Sequence, residues 1–292
     1  MQAKKVIVCL KGGQGNQLFC YAAARRLALA NDAELVIDDV SGFIRDTKYR
    51  RKYALEKFNI KTRKATPAER MEPFERWRRI VAKFSARRQP FHKREYIEQE
   101  GADFDPRLLD LNVRGTIYLD GYWQSEKYFK DVEETIRKDF QIILPQDLHN
   151  QDMAERIQRC EAVAIHVRLV APPWGATRSH EGIRSYYRCA VEEIERKVHD
   201  PYYFLFSDDP SSAKSLLKIP DERLTCVSCN HGESNSYADF WLMSLCKHFI
   251  IADSTFSWWG AWLGRHKNKI ITVPITRFIG KDDLIPNNWL MV

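Results

Sequence analysis

Short apolar runs of strand length alternate with helical patterns along nearly the whole chain, and this alternation constrains the fold more than any other feature. The strand candidates are residues 5–10, 34–38 and 116–120 in the first half. In the second half they are 162–168, 202–207, 223–227, 249–252 and 269–273. Apolar spacing predicts helices over 17–30, 68–85, 126–139, 153–159, 185–198, 236–245 and 257–264. Near-continuous apolar runs separated by helices are the pattern of parallel strands buried between helix layers. The expected fold class is therefore α/β. A length of 292 residues suffices for two domains of ordinary size. The polar, proline-containing stretch 144–152 marks the divide, giving domains 1–148 and 149–292. Two such domains facing each other would open a ligand crevice between the carboxyl ends of both sheets.

Charge narrows the reading further. The chain carries a formal +7, yet residues 61–94 alone hold twelve Lys or Arg against three Glu, a local +9. The remainder is therefore slightly acidic. Within this segment Phe74, Trp77, Ile80, Val81 and Phe84 recur at helical spacing among Arg76, Arg78, Arg79, Lys83 and Arg87. Such a helix either lies on an anionic membrane surface or turns its apolar side to the core and its cationic side to water. A nucleic-acid partner is not expected, because no helix-turn-helix, RNA-recognition or zinc-finger signature accompanies the charge. No stretch approaches the roughly 18–20 apolar residues of a membrane span, and no secretory signal is expected.

Seven cysteines without framework spacing fit a reducing compartment. Cys226-x-x-Cys229 followed by His231 imitates part of a zinc site, but no second ligand pair stands nearby. Asp103-Phe-Asp105 imitates a metal-binding Asp-x-Asp. Pro106 follows it directly, so it reads as a turn and helix start. No metal is implied.

Four segments carry candidate chemistry, each at the end of a strand. Lys11-Gly-Gly13-Gln-Gly15-Asn16 is a strand-to-helix turn that allows close approach of an anion or a sugar hydroxyl, with Asn16 as the expected helix cap. His166-Val-Arg168 ends a buried strand. Arg168 is either a grip on phosphate oxygens or a structural ion pair, and His166 either a ligand or a core residue. Ser207-Asp208-Asp209 offers carboxylates to ribose hydroxyls or a purine, or a cap to the helix near Pro210. Asp253-Ser254-Thr255 opens a helix and makes a seat for phosphate, with Trp258 and Trp259 read as packing.

Taken in order, these segments resemble the α-1,2-fucosyltransferases of glycosyltransferase family 11. Residues 12–22 read GGQGNQLFCYA, residues 121–129 GYWQSEKYF and residues 246–263 CKHFIIADSTFSWWGAWL, with HVR at 166–168 and FSDD at 206–209. The resemblance implies a GT-B enzyme of two Rossmann-like domains facing a central cleft. Such an enzyme is metal-independent, needs no cofactor, uses GDP-fucose and inverts at the anomeric carbon. The donor would bind the C-terminal domain through His166, Arg168, Asp208, Asp209, Ser254 and Thr255. The glycan acceptor would bind the N-terminal domain near Gly13, Gly15 and Asn16. Arg168 would also stabilise the departing diphosphate.

The chain departs from the family's HVRRGDY pattern, with Leu169 at the second arginine and Ala171 at the aspartate. With that aspartate missing, Glu181 and His180 are the remaining candidates for a general base. The resemblance further implies a bacterial, cytoplasmic enzyme working on polysaccharide precursors at the inner face of the inner membrane, and the charge of 61–94 predicts that this segment holds it near anionic lipid.

Overall fold

The computed structural model describes residues 3–169, 180–230, 232–275 and 283–292. The chain divides into two compact units. One is Met1–Gln141 with Gly280–Pro286, the other Ile142–Ile279 with Asn287–Val292.

In the first unit, β1 (Lys5–Cys9), β2 (Glu34–Asp38), β3 (Tyr96–Glu98) and β4 (Thr116–Asp120) form a wholly parallel sheet in the order β2-β1-β4-β3. β2 and β4 read ELVID and TIYLD. Their apolar residues are buried on both sides, and each strand closes on a buried carboxylate, Asp38 and Asp120. α1 (Gln14–Ala30) follows β1 and is buried through Leu18–Ala24, where small alanines let it pack tightly. It stops at Asn31, whose side-chain amide donates to the carbonyls of Leu27 and Leu111, and Asp32 then turns the chain at φ 49°.

α2 (Glu75–Arg87) overturns the expectation of an apolar side packed on the core. Phe74, Trp77 and Phe84 are 77, 68 and 58% exposed. The side turned inward carries Glu75, Arg79, Ala82, Lys83 and Ala86 instead. Arg79 donates to Asp38 at 2.8 Å, while Lys83 reaches Glu98 at 2.7 Å and Asp120 at 2.9 Å. The reason is electrostatic. A buried carboxylate without a partner costs several kcal/mol, so the strand-end acids draw the helix's cations inward. Residues 68–74, expected to be helical, form turns before α2, and α3 (Glu133–Asp139) is preceded by two short 3-10 turns.

The second unit begins with α4 (Leu148–Gln158), capped by Asp147. β5 (Glu161–Val167), α5 (His180–Lys197), β6 (Pro201–Ser207), α6 (Pro210–Leu217), β7 (Leu224–Cys226), α7 (Ser236–Leu245), β8 (His248–Ile250), α8 (Thr255–Leu263), β9 (Ile271–Val273) and β10 (Leu290–Met291) follow. The six strands are all parallel in the order β10-β9-β8-β5-β6-β7. β5 lies between β8 and β6. α8 is buried from Ser257 to Leu263, and Trp258, Trp259 and Trp262 pack on one another at centroid distances of 5.0–6.3 Å. The two tryptophans read as packing do pack.

Candidate functional site

Parallel strands deliver their following loops to one edge of the sheet. In the second unit, the three strands that bear candidate residues are neighbours there. The register pairs His166 with Phe206 and Val167 with Ser207 across β5 and β6, and Ile165 with Ile250 across β5 and β8. Arg168-Leu169, Asp208-Asp209 and Asp253-Ser254-Thr255 therefore leave adjacent strands at the same carboxyl edge. Arg168 is half-buried directly beyond β5. The Leu169 amide donates to Asp208 Oδ1 at 2.9 Å, tying the β5 and β6 ends together. The His166 ring lies 5.7 Å from that of Phe256 on α8, tying in the third segment.

The two aspartates divide their work. Asp209 Oδ1 accepts from the Ser212 amide at 3.1 Å and caps α6, as a proline-led helix start requires. Asp208 holds the neighbouring strand end. Ser254 is the extended N-cap residue of α8, where the first-turn amides lack intrahelical acceptors. These amides and the positive end of the helix face the same edge as Arg168.

Two tyrosines on α5, absent from the sequence reading, brace this edge. Tyr187 Oη donates to the His166 carbonyl at 2.7 Å. Tyr186 Oη lies 2.6 Å from the Ile251 carbonyl and 3.0 Å from that of Thr272. Tyr186 is pushed well above the ordinary phenol range by burial, so it is a neutral donor. Adjacent tyrosines after a strand-end motif were the available signal. Glu181 is exposed in the first turn of α5, about 8 Å along the axis from Tyr186 at 1.5 Å per residue. Ala171 and the rest of 170–179 lie outside the described residues, as does His231. Cys226 is half-buried in β7 and Cys229 is exposed, its Sγ 3.7 Å from Asn150 Oδ1. Among the described residues no group of three or more His, Cys, Asp or Glu is placed to hold a metal ion. Asp105 caps the turn at Pro106–Leu108 and pairs with Arg107.

In the first unit, the turn after β1 takes Gly12 to φ +73°, where a Cβ would stand 2.6 Å from Asn16 Nδ2. A Cβ on Gly13 would meet Arg51 Nη1 at 1.9 Å, so the guanidinium lies directly against this backbone. Asn16 is not the cap. Gly13 occupies that position, and α1 starts one turn earlier than its apolar pattern predicts. The reason lies in Gln17, whose amide donates to Gly12 O at 3.0 Å and Lys52 O at 2.9 Å and accepts from Ala54 N at 2.9 Å. Asn16 Oδ1 instead accepts from Gln124 at 2.8 Å, and Gly15 is buried within the first turn. Beside the turn, Asp120 takes Lys11 at 2.7 Å and Tyr96 at 2.6 Å. Burial pushes this carboxyl up, but Lys11, Tyr96 and Lys83 together hold it well below the usual carboxylate range.

The sequence pattern described as glycosyl transferase family 11 matches residues 5–292. The chain belongs to glycosyl transferase family 11. This family 11 glycosyltransferase is 27% identical over 299 residues to an α-1,2-colitosyltransferase of Escherichia coli, covering 98% of both chains. It is 30% identical over 313 residues to the O-antigen biosynthesis glycosyltransferase WbnK of Escherichia coli, covering 97% of this chain and 98% of the other. Among solved structures, the α-1,6-fucosyltransferase NodZ soaked with GDP-fucose superposes with a TM-score of 0.54 at 14% identity. The match covers 90% of this chain and 93% of NodZ. That likeness shows the fold, GT-B, and each of the two units carries a sheet of parallel strands. Among the described residues, no helix is long and apolar enough to cross a membrane.

Proposed function

We propose that this family 11 enzyme transfers L-fucose from GDP-fucose to a sugar hydroxyl, the 2-hydroxyl of a galactose, on a glycan or polysaccharide precursor. The observation that supports the reading most is the convergence of Arg168, Asp208 and the Ser254–Thr255 helix start on one sheet edge, held by the Leu169–Asp208 hydrogen bond. One guanidinium and a helix N-terminus are the charges a diphosphate needs. Asp208, His166 and the hydroxyls of Ser254 and Thr255 complete the donor seat; Asp209, spent on its cap, orients α6.

In the reaction the acceptor oxygen attacks the anomeric carbon from the face opposite the nucleotide. The bond from that carbon to the phosphate oxygen breaks, and GDP leaves with the electron pair. Positive charge develops on the sugar ring and negative charge on the diphosphate, so Arg168 and the α8 amides act where charge appears. The acceptor's proton passes to a base, for which Glu181 at the head of α5 is the candidate. The acceptor rests on the first unit near Gly13, Gly15 and Asn16. No metal or cofactor enters this scheme.

A second donor is favoured by one observation, the colitosyl relative at 27% identity. Colitose is fucose without its 3-hydroxyl, and Leu169 places an apolar side chain where the family carries an arginine. Parallel assays with GDP-fucose and GDP-colitose, reading released GDP, decide the donor. Turnover of GDP-fucose with an Arg168→Ala loss supports the proposal, whereas turnover of GDP-colitose alone replaces fucose.

A further inference from the structure

α2 keeps its place in the first unit through polar contacts. Arg79, Lys83 and Arg87 pair with Asp38, Glu98 and Asp120, and the apolar side chains of α2 that face inward beside them are the small Ala82 and Ala86. Its apolar residues are therefore left over. Phe74, Trp77, Ile80, Val81 and Phe84 form one solvent-facing stripe, the least exposed of them at 46%. Arg76 and Arg88 are exposed beside it, and the Arg88 guanidinium stacks 4.2 Å above the Phe84 ring.

We propose that this stripe is a docking surface for an anionic lipid bilayer, with α2 lying in the plane of the headgroups. Three features select that occupant. The aromatic residues suit the boundary between headgroups and acyl chains. The flanking arginines reach back to phosphates while their stems stay in apolar surroundings. Arg76, Arg78 and Arg88 are exposed along the helix, apart from the cations that Asp38, Glu98 and Asp120 take up, and an anionic surface complements them. A second copy of the chain fits less well, because a two-fold contact through α2 would set Arg76 and Arg88 against their own counterparts. The surface is independent of which sugar is transferred, and its test reads binding instead of activity.

The test is co-sedimentation of the full chain with phosphatidylcholine vesicles, with and without phosphatidylglycerol. Binding is expected only with phosphatidylglycerol and should weaken as salt rises. Trp77→Ser with Phe84→Ser should lower it about tenfold. Both positions are exposed, so the urea midpoint should not move; if it does, Arg76→Gln with Arg88→Gln replaces that pair and should lower binding likewise. Trp77→Phe should keep binding while losing part of the fluorescence quenching by brominated lipid. Absence of binding to phosphatidylglycerol vesicles, or binding untouched by these substitutions, overturns the proposal. So does a dimer in light scattering that the same substitutions dissociate.

Discussion

Arg79 donates to Asp38 Oδ2 at 2.8 Å, and the carboxylate it meets is wholly buried at the end of β2. Tyr118 donates to the same oxygen, and the Ser41 amide to the other at 2.9 Å. This group fixes which side of α2 faces the sheet. Replacing the guanidinium by a chain of similar length leaves a buried charge short of its cation. Arg79→Met should cost about 3 kcal/mol, read as a lowered denaturant midpoint, with Arg79→Lys in between.

The two strand-end carboxylates also set the acid limit of the first unit. Burial pushes Asp38 up, but Tyr118, Ser41 and Arg79 outweigh it and hold the group below its ordinary value of 3.8; Asp120 is lowered likewise. Because the folded state binds these protons less readily than the unfolded chain, their stabilisation is complete above the ordinary carboxylate pKa. It is lost as pH falls through the lowered folded values. Denaturant midpoints should therefore drop below about pH 4, and Asp120→Asn should be less stable at pH 7 yet lose less on acidification. A midpoint equally acid-sensitive in that variant would contradict this assignment.

Asp208 and Asp209 are adjacent but should behave differently. Asp209→Ala removes the α6 cap and should cost about 1 kcal/mol of stability with little change in donor affinity. Asp208→Ala frees the Leu169 amide and should weaken GDP binding, read by calorimetry.

Gly12 and Gly13 offer a similar contrast. Gly12→Ala meets both a positive φ and Asn16, and should cost 1–2 kcal/mol by order of magnitude. Gly13→Ala displaces only the flexible end of Arg51. Its effect should appear as a raised acceptor KM with the thermal midpoint nearly kept.

Much of this was legible in the sequence. The runs that became β1, β2, β4, β5, β6 and β8 stand out because strands buried on both faces must be apolar throughout. β3 and β10 escaped because three or two residues give no period to read, and Tyr96–Glu98 is set among charges. Helical spacing revealed the apolar stripe of α2 but not its direction, since periodicity is the same whichever side faces in. The acids ending ELVID and TIYLD were the missing clue. All candidate donor residues were visible as strand-end motifs, but their partition was not. Which aspartate caps and which ties two strands depends on register between segments about forty residues apart.

Arg168, at the carboxyl edge of β5, is the side chain proposed to grip the donor's diphosphate. Calorimetric titration of the full chain with GDP-fucose, beside Arg168→Ala, tests it directly. Wild type should bind, and the variant should bind at least about tenfold more weakly, as loss of a charge-assisted phosphate contact requires. Equal binding by the two proteins would contradict the placement of the diphosphate at Arg168.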